Sequence, residues 1–91
     1  MADPLSRNLN IAQAALTTAS STIVAARPGR RRVTIKNMDA SIVITINSGI
    51  AAATATGFPI AAGATLALDT SAVITAIAAS GTPSVAYIEE F

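Results

Sequence analysis

An all-β fold, a small antiparallel β-sandwich or jelly-roll-like barrel, is what this sequence predicts, and three observations carry the prediction. Short segments rich in Ile, Val and Thr alternate in side-chain character. Turn residues separate them at roughly 8 to 12 residue spacing, as in sandwiches and barrels. β-Branched Ile, Val and Thr fill the places between the alanines, which weakens alanine's helix propensity in favour of strand. The 91 residues divide into an N-terminal arm, residues 1–20, and a single β-sandwich domain, residues 21–91.

The arm holds "LNIAQAALTTAS", which fits a short helix with Leu9, Ala12 and Leu16 on one side or an extended segment; the extended reading is adopted. "TIVAA", Thr22 to Ala26, is the first strand of the domain and ends at "RPG". There Pro28 sets φ and Gly29 relaxes the backbone, the chemistry of a tight turn. "RRVTIKN" follows as a strand with Val33 and Ile35 on one face and Arg32, Thr34 and Lys36 on the other. Arg31 shares the parity of Val33 and Ile35. Met38 to Ser41 reads as a turn. "SIVITIN" then places Ile42, Ile44 and Ile46 together with Val43 and Thr45 opposite. Residues 48–57 read as a small-residue loop or weak edge strand. "FPIAAGATLALD" has a bend at Pro59, a turn at Gly63 and a strand with Leu66 and Leu68 inward. "TSAVITAIAAS" is a further strand, "GTP" turns the chain, and "SVAYIEEF" closes it.

A chain of this size buries only roughly 60 to 65% of its unfolded surface, and 52% hydrophobic content leaning on alanine makes the core thinner still. Domains in that position gain stability from disulfides, metals or partners. With no Cys and no His, partner subunits are the expected stabiliser. The formal charge of +1 implies weak overall attraction to nucleic acid or membrane. Asp3 stands where a secretory leader would be cationic, and no run reaches the ~18 apolar residues of a helical span. A soluble protein made in a cytosol is therefore expected.

Enzyme chemistry is hard to assemble here. The common general base, the thiolate nucleophile and the usual zinc ligands are missing. Glu89 and Glu90 are adjacent on a strand and point to opposite faces, unlike a cooperating acid pair. Asp39 and Asp69 sit beside turns, where carboxylates cap local N–H groups; a calcium site stays open as an alternative, with ligands too dispersed to suggest one. The glycines are spaced as turn punctuation, not as a phosphate loop. No enzyme activity, cofactor or metal is expected.

What stands out is "ARPGRRRVTIKN", with Arg27, Arg30, Arg31, Arg32 and Lys36 as candidate protein-interface residues. Three readings apply. The charges guard a strand edge against pairing; they meet an acidic protein partner, for which the planar guanidinium is well shaped; or they contact phosphates. The second is favoured. Phe58, Tyr87 and Phe91 do not interleave with the arginines as a nucleic-acid stacking platform would. Pro28 and Gly29 set Arg27 and Arg30 on opposite arms of a turn, so the arginines form a distributed rim suited to the carboxylates of a protein partner.

"RRRVTIKNMDASIVITIN" and "GFPIAAGATLALDTSAVITAIAASGTPSVAYIEE", together covering roughly Ala26 to Glu90, resemble the small β-sandwich virion proteins of tailed bacteriophages, of the capsid decoration (cement) or head-fibre type. By that resemblance Arg31 and Asn37 match strand-edge positions, Gly57, Phe58, Pro59 and Gly63 a bend, and Asp69 a turn. The resemblance implies a structural protein on the outside of a head, bound to the major capsid protein as a homotrimer. It implies a location on the capsid surface of the virion after synthesis in the host cytoplasm. The alternative it leaves is a head- or tail-fibre module binding a host receptor or glycan. The alanine and arginine enrichment and the long arm depart from the pattern.

Overall fold

A computed structural model describes residues 9–50 and 56–91. Asp3, the first part of the arm and the centre of the expected 48–57 loop lie outside the described residues. Among the described residues there are eight strands: β1 (Leu9–Ala15), β2 (Ser21–Val24), β3 (Arg32–Asn37), β4 (Ile44–Ser48), β5 (Phe58–Ile60), β6 (Thr65–Leu68), β7 (Ile74–Ala78) and β8 (Ser84–Glu90). They form two four-stranded antiparallel sheets, in the orders β1-β8-β3-β6 and β2-β7-β4-β5. The all-β expectation holds.

The pairing is nested. β1 pairs β8, β2 pairs β7, β3 pairs β6 and β4 pairs β5, as though one long hairpin had been rolled over itself; β3 with β8 and β4 with β7 then complete the sheets. This is jelly-roll topology. Every connection crosses between sheets except β4 to β5. The sandwich begins at β1 rather than at residue 21. Residues 9–15 of the segment read as an arm are extended, as expected, but they are laddered to β8 along their whole length. Leu16 is fully buried, its N–H donating to the Pro83 carbonyl at 2.8 Å.

Strand parity builds the core. Val33 and Ile35 from β3, Val85 from β8, Ile44 and Ile46 from β4, and Ile74, Ala76 and Ala78 from β7 are buried between the sheets, joined by Leu16, Ile23, Val24 and Ile60. Each fully buried Ile or Val contributes about 1.5–3 kcal/mol. Leu66 and Leu68 lean inward from the edge strand β6. Strand β4 starts at Ile44, later than "SIVITIN" suggests. The Asp39 carboxylate accepts from the N–H groups of Ser41 (2.8 Å) and Ile42 (2.7 Å) and holds that segment in a turn. Buried Asn37 supports the same turn: its amide donates to the carbonyls of Ile42 (2.8 Å) and Ile60 (3.0 Å), and its Oδ1 accepts from Asp39 N–H at 3.0 Å.

Pro59, expected at a bend, lies within β5 opposite Thr45, on an edge strand that tolerates a missing N–H. Gly63 takes φ 74° in the turn before β6. A Cβ at Gly57 would lie 2.6 Å from the Ile46 carbonyl oxygen and inside contact range of the Thr45 methyl; this glycine lets the incoming chain lie directly on β4.

Candidate interaction surface

The turn chemistry of "RPG" is realised as a hydrogen-bonded turn in which Arg30 N–H donates to the Arg27 carbonyl at 3.0 Å. Its consequence differs from the expected rim. Arg30 is turned inward and its side chain is fully buried against Glu89, also fully buried. Arg30 Nη1 donates to Glu89 Oε2 at 2.9 Å and to the Ala25 carbonyl at 2.9 Å. Its Nε donates to the Thr70 carbonyl at 2.8 Å and its Nη2 to the Ala72 carbonyl. Arg27 Nε reaches both carboxylate oxygens, at 3.2 and 3.0 Å, and Asn10 Nδ2 donates to Oε1 at 2.6 Å.

Glu89 is buried because it follows Val85 and Tyr87 on the inward parity of β8, where a carboxylate must be paired or neutral. Burial pushes its pKa up. The hydrogen bonds from Asn10 and Arg30 and the charges of Arg27 and Arg30 outweigh that, leaving it below the ordinary glutamate range. Two guanidiniums face one carboxylate, and the surplus charge is carried by Arg27, whose side chain is 47% exposed. The cluster fastens β1, the β2–β3 turn, the β6–β7 connection and the end of β8 to one another. Arg30 is thus withdrawn from the proposed interface, because the carboxylate it meets belongs to its own chain.

The other members of the set lie apart. Arg32 Nε bonds Asp69 Oδ1 at 2.8 Å on the surface, and this bond raises the Arg32 pKa. Arg31, exposed, departs from the inward parity of Val33; its N–H donates to the Glu90 carbonyl at 2.7 Å. Arg31, Arg32, Asp69 and Glu90 line a shallow depression of about 470 Å³, in which two cations and two carboxylates balance. Lys36 is exposed on the outer face of its sheet, across from Ala86 and Thr65. Strand β3, which carries Arg32 and Lys36, is not itself an edge, because it lies between β8 and β6. Asp39 caps its turn as expected, and its pKa is lowered by the N–H groups of Ser41 and Ile42; Asp69 instead pairs with Arg32.

A second feature is apolar. Phe58, 59% exposed, borders a groove of about 460 Å³ with Ile46, Asn47, Gly57, Leu66 and Leu68, where the edges β5 and β6 of the two sheets part. Tyr87 packs against the core. Among the described residues no group of three or more acidic, His or Cys side chains is placed to hold a metal ion.

Asn10, Asn37 and Glu89 were not singled out by the sequence as members of a polar network. The signal for Glu89 was its parity, an acidic residue continuing the inward series of Val85 and Tyr87.

No family's sequence model matches the chain, and no curated protein matches it. The fold is similar to that of protein NMB1881 from Neisseria meningitidis, with a TM-score of 0.55 at 8% identity over 100% of this chain and 89% of that one. A subunit of Bacillus endospore appendages, described as a family of disulfide-linked pili, aligns with a TM-score of 0.49 at 13% identity over 100% and 94% of the two chains. At these identities the likeness concerns the fold alone.

Proposed function

We propose that this protein is a structural, non-enzymatic virion component, a decoration or cement protein that binds the outer surface of a capsid lattice and stabilises the head. The observation that carries this reading is where its ionic groups are engaged. Glu89 is saturated by Arg27, Arg30 and Asn10, Asp39 by its turn and Asp69 by Arg32, an arrangement suited to holding a scaffold rigid. The strand and turn resemblance to small phage virion proteins supplies the partner, the major capsid protein, and a homotrimeric arrangement on the capsid lattice. A small jelly roll that binds only in its native state gains stability from the lattice by mass action, and many attached copies turn modest contacts into firm retention. Exposed Arg31 and Lys36, with the half-exposed Arg27 and Arg32, are the cations offered to capsid carboxylates. Co-sedimentation with empty tailed-phage capsids tests the reading. Binding that weakens with salt and in the Arg31→Ser/Lys36→Ser variant is expected; no co-sedimentation at moderate salt overturns it.

Exposed Phe58 beside the open groove supports a second reading, a fibre module that stacks a sugar of a host receptor on this ring. Glycan-array binding abolished by Phe58→Ala, with no capsid binding, would put this reading first.

A further inference from the structure

The hydrogen-bond parity of β1 defines an edge with its own partner. The bond from Leu16 N–H to the Pro83 carbonyl continues the β1–β8 register, in which Leu9 faces Glu90 and Ala15 faces Ser84. Directly opposed antiparallel residues alternate between bonded and non-bonded pairs. Counting back from Leu16, it is Ala14, Ala12 and Asn10 that bond β8. The opposite flank of β8 agrees: Met38 N–H donates to Ser84 O at 3.0 Å, so Ser84, Ala86, Ile88 and Glu90 bond toward β3. The N–H and C=O groups of Leu9, Ile11, Gln13 and Ala15 therefore point away from the sheet, and the strand order ends there.

The other three edges carry features that discourage pairing. Strand β5 has three residues and Pro59; β2 has four and a register irregularity between Thr22 and Val24; β6 has four and ends at the Arg32–Asp69 ion pair. Strand β1 runs for seven residues, "LNIAQAA", with no charge, proline or bulge, and presents Ile11 at 67% and Leu9 at 54% exposure. Long uncharged edges of this kind are templates for another strand.

We propose that this edge docks a second copy of the chain, β1 against β1, antiparallel about a two-fold axis at Ala12. This register pairs Leu9 with Ala15 of the partner subunit and Ile11 with Gln13 of the partner subunit, and reciprocally. All the outward-pointing residues then bond one another, each pair exchanging two hydrogen bonds. A one-residue slip sets bonding groups against non-bonding ones, and a two-residue slip leaves one outward residue of each copy without an opposite. Two-fold pairing places residues of one segment against the same segment, so a charge within it would meet its like; β1 has none. Opposite side chains also differ in bulk, Leu against Ala. On the outer face the row of Ile11, Ile88, Thr34 and Ala67 runs on into the row that begins at Gln13 of the partner subunit, making one eight-stranded sheet. This two-fold contact is separate from the three-fold assembly that the resemblance implies and does not depend on capsid binding.

The test combines mass and cross-linking. The wild-type chain at about 100 μM is expected to sediment as a dimer. Gln13→Pro removes only an outward N–H and Ile11→Lys puts like charges near the axis; both are expected to fold, by circular dichroism and cooperative melting, and to sediment as monomers. Ala12 and its symmetry mate form a non-bonded pair, whose Cα separation of about 4.5 Å lies in disulfide range. In this cysteine-free chain, Ala12→Cys is expected to form a covalent dimer on mild oxidation, with Ala19→Cys as the control that does not. A monomeric wild type, a higher oligomer unaffected by Ile11→Lys, or equal cross-linking of both cysteine variants overturns the proposal. A failure of capsid co-sedimentation leaves these measurements unaffected.

Discussion

Replacing Glu89 by Gln keeps the shape of the side chain and removes its charge from a site where it meets Asn10 at 2.6 Å, Arg30 at 2.9 Å and Arg27 at 3.0 Å. Arg30 is left as a fully buried cation, still bonded to the carbonyls of Ala25, Thr70 and Ala72. Breaking a buried ion pair from one side costs about 3–5 kcal/mol. A chain of this size has a total stability of about 5–14 kcal/mol, so the loss takes a large share of it. With about 4–8 °C of Tm per kcal/mol for a domain this small, Tm is expected to fall by at least about 12 °C. Thermal and urea unfolding at pH 7 measure it. The double variant Arg30→Met/Glu89→Leu removes both charges. Its cost is expected to fall short of the sum of the single Arg30→Met and Glu89→Leu losses by more than about 1.5 kcal/mol. A Glu89→Gln protein within about 1 kcal/mol of wild type, or additivity in the cycle, would refute the reasoning.

Asn37→Leu leaves the buried carbonyl of Ile60 and the partly buried carbonyl of Ile42 without their amide donor and is expected to cost about 2–4 kcal/mol in urea unfolding. Gly57→Ala, whose new methyl would meet the Ile46 carbonyl oxygen at 2.6 Å, should cost about 1–3 kcal/mol by overpacking; Gly63→Ala, at φ 74° with open space around it, should cost about 1–2 kcal/mol through backbone strain alone. Arg32→Ala breaks only the exposed pair with Asp69, and its melting curve should agree with wild type to within about 1 kcal/mol. Glu89 and Asp39 both have folded pKa values below their ordinary ones, so in that window the unfolded chain binds more protons. Their stabilisation is complete above the ordinary carboxylate range of about 4 and is lost as pH falls through it toward the lowered values. Tm should be level from pH 8 to about 5 and drop below about 4; a level Tm down to pH 2.5 would contradict the assignment.

Much of the fold was legible in local pattern. The alternation in "RRVTIKN" assigned Val33 and Ile35 inward without reference to any neighbour, and the turns at Pro28–Gly29 and Gly63 follow from the backbone each residue permits. Strand β1 was harder to place, because "LNIAQAA" has alternation too weak to separate a sheet strand from an arm; its ladder partner lies at the far end of the chain. The candidate interface residues were legible only as types. Arg30 and Arg31 look alike in sequence, yet one is fully buried and the other exposed.

The sequence by itself determined the all-β class, the turns at Pro28–Gly29 and Gly63 and the inward series of Val33 and Ile35, because those depend on residue type and on the two-residue period of extended backbone. Only the tertiary structure decided the nested order that makes a jelly roll, and with it which edges stay open. It also decided the fate of the arginines. Rolling the chain brings the β2–β3 turn against the end of β8, where Glu89 cannot be buried without a cation; Arg30 is the cation that geometry placed there, and "ARPGRRRVTIKN" became a lock within the fold as much as a surface upon it.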